Sequence, residues 1–174
     1  MPASSDNTQF WLTPAMKPEW PPLLERGFHP MTLDALRQIC VTSFALSKTR
    51  LTIMAGLEQL VQDVSKYGIV ADLWIDGSFV TEKLDPEDAD VVFSVRAELY
   101  DSGTASQRQI LDALNDVDLK PSYHTHSFVY YEYPAGHFLH ESVGARARRY
   151  WIRQFGFSRR MEVKGMPVIT IPQT

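Results

Sequence analysis

The stretch from residue 74 to residue 93 constrains the fold more than any other part of the chain. It reads Trp-Ile-Asp-Gly77-Ser78, then nine residues, then Asp88-Ala-Asp90 followed by Val-Val-Phe. Gly77 and Ser78 end an apolar segment and predict a tight turn after a strand. Asp88 and Asp90 begin a β-branched and aromatic run, so on a strand both carboxylates project from one face. The pattern therefore predicts two neighbouring strands that bring a glycine–serine turn close to a pair of acids.

These residue types favour chemistry on a nucleoside triphosphate. Two carboxylates on one face are what Mg²⁺ (or Mn²⁺) bound to a triphosphate requires, and a turn with unused backbone N–H groups can hold phosphate oxygens. Lys83, on the connection between the two halves, and Lys164, near the C-terminus, are candidate triphosphate contacts. The alternative is an acidic turn, a plain Gly-Ser turn and two solvated lysines.

The motif resembles the signature of the nucleotidyltransferase superfamily, whose fold is that of the DNA polymerase beta-like nucleotidyltransferases. The chain looks like a bacterial group of such domains from about residue 21 to residue 171, through the phrases Gly77-Ser78-Phe79-Val80-Thr81 with Lys83, Glu132-Tyr133-Pro134, and Tyr150-Trp151 through Gln154-Phe155-Gly156 to Lys164-Gly165. The resemblance implies an NTP substrate, Asp88 and Asp90 as catalytic metal ligands, and Gly77 and Ser78 as triphosphate-binding residues.

Active members of this superfamily carry a third carboxylate on a neighbouring strand, where it helps to deprotonate the acceptor hydroxyl. The matching segment is predicted as a strand at 126–133, and alternation puts His124, His126 and Glu132 on one face. We expect His126 at the place of the third acid and Glu132 about 20 Å further along. Both are candidate catalytic residues. His124 with His126 lacks a third ligand at useful spacing for a transition metal, and Asp76 is interpreted as a turn or capping residue.

Composition limits the class of protein. The chain has 174 residues, 44% of them apolar, and a net charge of −4, which fits one globular domain. The single cysteine, Cys40, excludes an internal disulfide and fits a reducing compartment. The N-terminus is polar and no apolar run approaches the ~18 residues of a membrane span, so we expect a cytoplasmic protein without membrane contact.

Charge is unevenly distributed along the chain. Residues 145–174 hold seven basic residues and one acid, whereas the remainder carries an acidic excess. This basic segment could contact the phosphates of a nucleotide or an RNA. It could equally be a solvated helix face with salt bridges to the acidic body.

The remaining patterns predict an extended arm followed by an α+β domain. Six of the eleven prolines fall in residues 1–30, where Phe10, Trp11, Leu12 and Trp20 are apolar enough to pack on the body, on a partner protein or on a second copy. Residues 31–174 form the domain. Periodicity predicts helices at 32–44, 47–67, 104–114 and 141–154, and strands at 70–75, 89–95, 126–133 and 167–171, which give a mixed β-sheet with helices packed on it.

Two functional hypotheses follow. The first is a Mg²⁺-dependent nucleotidyltransferase that moves a nucleoside monophosphate from an NTP to a protein or RNA hydroxyl, in a toxin–antitoxin or phage-defence context by fold-level analogy. The second is a catalytically impaired module of the same fold that binds a nucleotide or a partner protein. The residues that surround Asp88 and Asp90 distinguish them.

Overall fold

The computed structural model describes residues 18–172 and shows one mixed five-stranded sheet with helices on both faces. Phe10, Trp11 and Leu12, to which we assigned packing contacts, lie outside the described residues. The strands are ordered β1-β5-β2-β3-β4 across the sheet. β1 runs parallel to β5, β5 and β3 both run antiparallel to β2, and β4 runs parallel to β3.

The strands are β1 (Gly27–Pro30), β2 (Ala71–Asp76), β3 (Ala89–Arg96), β4 (Thr125–Glu132) and β5 (Gly165–Ile171). The helices are α1 (Leu33–Cys40), α2 (Arg50–Lys66), α3 (Ala97–Asp101), α4 (Ala105–Asp116), α5 (Lys120–Tyr123) and α6 (Arg146–Phe155). Short 3₁₀ turns occupy Thr42–Phe44 and Ser78–Val80, and a π-helical turn, His140–Ala145, leads into α6. None of the helices in the described part of the chain is long and apolar enough to cross a membrane.

Strand alternation divides the core between the two faces of the sheet. Leu73, Val91 and Phe93 face one way and pack with the apolar stripes of α1, α2 and α4. Trp74 and Val92 face the other way, toward α6 and its Trp151, Ile152 and Phe155. Residues that stand an even number of positions from Trp74, Val92 or Tyr130 on their own strand therefore project toward α6.

The predicted α+β class with a mixed sheet is confirmed, and each predicted strand lies within two residues of an observed one at its beginning and end. The region predicted as helix at 141–154 begins as a π-helical turn, and His124, predicted on the strand, instead ends α5 with a left-handed φ of 53°. Within the predicted arm, Gly27–Pro30 pairs with β5 as an edge strand. The sheet of the domain therefore extends into the last residues of that arm.

Candidate functional site

Three ionisable residues form a row across three adjacent strands. Asp76 at the end of β2 is the register partner of Asp90 on β3, and Asp90 is the register partner of His126 on β4. Each stands an even number of residues from a side chain on the α6 face, so all three project from that face. The row lies at the ends of these three strands, next to the start of the Gly77–Ser78 turn.

Gly77 brings this turn into contact with Asp90. Its φ of 84° lies in the left-handed region, and a Cβ at this position would stand 2.5 Å from Asp90 Oδ2. Both the backbone conformation and the space therefore require glycine. The predicted closeness of the glycine–serine turn to the acids is what the structure shows.

The row and the turn form part of the wall of a cleft of about 620 Å³. Seven of the eight site residues predicted from the sequence line it: Gly77, Ser78, Lys83, Asp88, Asp90, His126 and Lys164. The structure adds lining residues that the sequence analysis did not assign to the site, among them Asp76, Thr81, Lys120, Gln154 and Ser158. The cleft is a mostly polar one, as expected for a charged ligand.

Glu132 does not join this group. It ends β4 opposite Arg96, six residues beyond the pairing of Asp90 with His126, and its carboxylate accepts a hydrogen bond of 2.9 Å from the Tyr130 hydroxyl. A six-residue strand segment spans about 20 Å, so Glu132 cannot reach the acids. The assignment of Glu132 as a catalytic candidate is therefore corrected, and His126 keeps the position expected of the third acid.

Each of the three aspartates of the cleft faces a basic group. Lys164 Nζ lies 2.5 Å from Asp76 Oδ1, and Lys120 Nζ lies 2.5 Å from Asp88 Oδ2. His126 Nδ1 lies 3.5 Å from Asp90 Oδ1. The lysines thus offset the negative charge of the carboxylates, and they stand where they could turn to an anionic ligand.

Burial changes the acidity of two of these carboxyls. It raises the pKa of Asp76 to about 6, against the opposing effect of the Lys164 ammonium. Burial, followed by repulsion from Asp88, also raises the pKa of Asp90. Asp76, interpreted from the sequence as a turn residue, is instead a buried, ion-paired carboxyl in the wall of the cleft. Repelling, desolvated carboxyls favour a bound cation or a proton.

A buried arginine holds the loop that joins the two halves of the motif. Arg50, at the start of α2, is 1% exposed and donates all five of its N–H groups to backbone carbonyls. The acceptors are the carbonyls of Cys40, Phe79, Thr81, Lys83 and Leu84, at 2.5–3.2 Å. Because four of these lie at 79–84, the guanidinium determines the path of the loop from which Lys83 reaches the cleft.

Two acids of the cleft are the residues that could hold a magnesium ion. No cluster of three or more His, Cys, Asp or Glu side chains within residues 18–172 has the arrangement that holds a metal ion. Mg²⁺ in phosphoryl-transfer sites is commonly held by one or two carboxylates together with substrate phosphates. The negative charges of Asp88 and Asp90 repel one another, and Asp90 lies against Gly77. These two carboxylates therefore fit a site in which the substrate phosphates supply the other ligands.

The fold and cleft define an α+β domain with an acidic, lysine-lined site at one edge of a mixed sheet. The model of a family described as a family of unknown function (DUF6932) matches residues 17–170, and the chain belongs to that family. No curated protein and no solved structure matches the chain at a significant level.

Proposed function

We propose that this protein is a nucleotidyltransferase that transfers a nucleoside monophosphate from an NTP, with Mg²⁺ or Mn²⁺, to a protein or RNA hydroxyl. The observation that supports it is the contact between the Gly77 turn and Asp90, with Asp88 in the same cleft. A glycine–serine turn that would bind phosphate, next to two carboxylates that would bind a cation, is the combination that phosphoryl-type transfer needs.

The triphosphate end of the cleft is formed by the turn and the lysines. The Gly77–Ser78 backbone leads into a short 3₁₀ turn at Ser78–Val80, and in this proposal the Ser78 hydroxyl and backbone N–H contact a phosphate oxygen. Lys83 and Lys164 line the same cleft and would exchange their carboxylate partners for phosphate oxygens when the ligand enters.

Asp88 and Asp90 would hold the divalent cation in this proposal. When bound, the cation supplies charge neutralisation at the phosphates and lowers the pKa of the attacking hydroxyl. His126 and Asp76 flank Asp90 on both sides and are the groups that can accept the proton of the acceptor hydroxyl. Asp76 provides an acid from β2 where β4 carries a histidine.

The second candidate function is a module of the same fold that binds a nucleotide or partner without transfer. His126 favours it, because a histidine cannot supply the negative charge that a third carboxylate gives to hard cations. A single comparison separates the two: the enzyme labels an acceptor from an NTP labelled at its α-phosphate, whereas the module only binds the nucleotide.

The test combines binding and transfer. Calorimetry with ATP and Mg²⁺ should show binding to the wild-type chain and a loss of at least tenfold in affinity for Asp88→Asn with Asp90→Asn, because the cation loses both carboxylates. Incubation of the wild-type protein with each α-labelled NTP and cell extract should then label a protein or RNA band.

The matched control is Asp101→Asn, an exposed aspartate at the end of α3, away from the cleft. It removes one negative charge while leaving the site unchanged, so we expect wild-type affinity. Unchanged ATP affinity in the double variant would refute the assigned site. Binding without any labelled band, across all four NTPs and with both Mg²⁺ and Mn²⁺, would select the binding module.

A further inference from the structure

We propose that Trp20 is the nucleobase platform of the cleft, on which the base of the bound nucleotide stacks while its phosphates lie at the Gly77–Ser78 turn. This inference rests on the proposed function, because it requires a nucleotide in the cleft. It adds a binding residue that lies in the segment interpreted from the sequence as an arm, far in sequence from the motif.

Backbone pairing with the loop at 79–84 holds the segment that carries Trp20 at the cleft. Pro22 forms a β-bridge with Thr81, and the Glu82 N–H donates to the Pro21 carbonyl at 2.9 Å. The Leu23 N–H donates to the Val80 carbonyl at 3.0 Å. The segment that carries Trp20 therefore moves with the loop that follows Ser78, and the distance between the indole and the phosphate end is determined by these bonds.

The Lys83 ammonium lies next to the Trp20 ring in the cleft. Lys83 Nζ lies 5.1 Å from the centroid of the Trp20 ring, within the range of a cation–π contact. Lys83 Nζ also lies 3.9 Å from Glu87 Oε1, and Lys83 lines the same cleft as Asp88. A nucleotide whose phosphates engage Lys83 would thus have its base within reach of the indole.

The Trp20 ring is half-buried, and the contact described for it within residues 18–172 is the one with the Lys83 ammonium. Most of the other tryptophan, tyrosine and phenylalanine rings near the α6 face, such as Trp74 and Trp151, pack against one another in the core. Among residues 18–172, no aromatic ring stacks on Trp20, which is half-buried and lines the cleft. Half-exposed aromatic rings beside a cationic groove are the platforms on which bases stack.

Residues of α6 and of the turn that follows it supply polar groups that could meet the edge of a base. Glu19 Oε1 accepts a 2.8 Å hydrogen bond from the backbone N–H of Arg159, so the Trp20 segment touches the turn after α6. Gln154, Phe157 and Ser158 of that region line the cleft as well. An indole platform tolerates every base, so base preference would come from the side chains of Gln154 and Ser158.

The test compares a ligand that has a base with one that has none. Dissociation constants for ATP and for inorganic tripolyphosphate are measured with Mg²⁺ for the full chain, for Trp20→Ala and for Trp20→Phe. We expect Trp20→Ala to weaken ATP binding by roughly 5- to 150-fold, the range for loss of one base–aromatic stack. Tripolyphosphate affinity should change by less than about twofold, and Trp20→Phe, which keeps an aromatic face, should retain most of the ATP affinity.

The matched control is Phe138→Ala, which removes a highly exposed aromatic ring that does not line the cleft and should leave both affinities unchanged. ATP affinity that is unchanged in Trp20→Ala overturns the platform and leaves the proposed function intact. An equal loss for ATP and tripolyphosphate also overturns it, because Trp20 would then support only the phosphate end. A wild-type chain that binds neither ligand refutes the proposed function and the platform together.

Discussion

Arg50 is the residue on which the geometry of the loop at 79–84 depends most. A guanidinium offers five donors in a rigid plane, and here each one meets a backbone carbonyl rather than a carboxylate. The Phe44 ring covers the guanidinium at 3.7 Å. Burial of the charged group lowers the pKa of Arg50, so its hydrogen bonds have to offset that desolvation.

We predict that Arg50→Lys lowers the free energy of unfolding by about 2–4 kcal/mol, because an ammonium cannot reach five carbonyls and leaves several of them buried without a donor. Urea denaturation followed by circular dichroism measures the change. ATP affinity should fall as well, since the loop that carries Lys83 loses its support.

The control for this change is Arg37→Lys, whose guanidinium pairs with Glu58 at the surface and should matter by less than about 1 kcal/mol. If Arg50→Lys unfolds at the same urea concentration as the wild type, the loop is held by other contacts and the argument for Arg50 is lost.

At the scale of elements, α6 has two faces with different roles. Trp151 and Phe155 pack on the sheet, and Arg148 lies 5.7 and 5.8 Å from the Phe28 and Trp74 rings. Arg148 therefore belongs to the packed side of the helix. On the other face Arg146, Arg149 and Arg153 are exposed, and none of them forms an ion pair within the described residues. The salt bridges to the acidic body, one of the two alternatives for this segment, are not formed by these three arginines, although Lys164 of the segment pairs with Asp76.

We expect the exposed arginine face of α6 to contribute to binding of an RNA acceptor, since the last turn of the helix carries the cleft-lining Gln154. Replacing Arg146, Arg149 and Arg153 by alanine should weaken the binding of a labelled single-stranded RNA in fluorescence anisotropy. The slope of log affinity against log salt should flatten by about 0.7 per lost phosphate contact, or roughly 2 in all.

A charge-matched variant, Lys48→Ala with Lys66→Ala and Arg96→Ala, removes three exposed cations elsewhere and should keep most of the affinity and the slope. Equal losses in the two triple variants would show a net-charge effect rather than a binding face. RNA binding that is unaffected in the α6 variant would favour a protein acceptor.

At the scale of the whole molecule, residues 18–30 are part of the folded domain and do not merely precede it. β1 adds the edge strand beside β5, and residues 21–23 pair with the loop at 80–82. The close packing of this segment is visible at Gly165, where a Cβ would stand 2.1 Å from the Glu25 carbonyl oxygen. Leu23 packs against the main core cluster.

We predict that a chain beginning at Gly27 is less stable by roughly 2–4 kcal/mol than a chain beginning at Pro18, because it loses the burial of Leu23 and three backbone hydrogen bonds or bridges. Urea unfolding of the two truncated chains measures the difference. Since both lack residues 1–17, the comparison isolates residues 18–26. Equal stability would contradict a structural role for this segment.

Local signals were enough to predict the α+β class, the strands of the motif, and the closeness of Gly77 to Asp90. A conformation that only glycine adopts and a period of two along a strand are properties of neighbouring residues, so they can be inferred without a tertiary structure. The register of β4 against β3 also put His126 beside Asp90 and Glu132 far away, as the strand length had indicated.

What only the tertiary structure decided is which distant residues share the cleft. No local pattern marks Asp76, Lys120 and Trp20, which line the cleft, or Arg50, which holds the loop at 79–84. Their roles arise from strand pairing and from contacts between residues 29 to 140 positions apart in the sequence. Sequence spacing determines the side of a strand from which a carboxylate projects, whereas the partner that faces it depends on how the whole sheet is ordered.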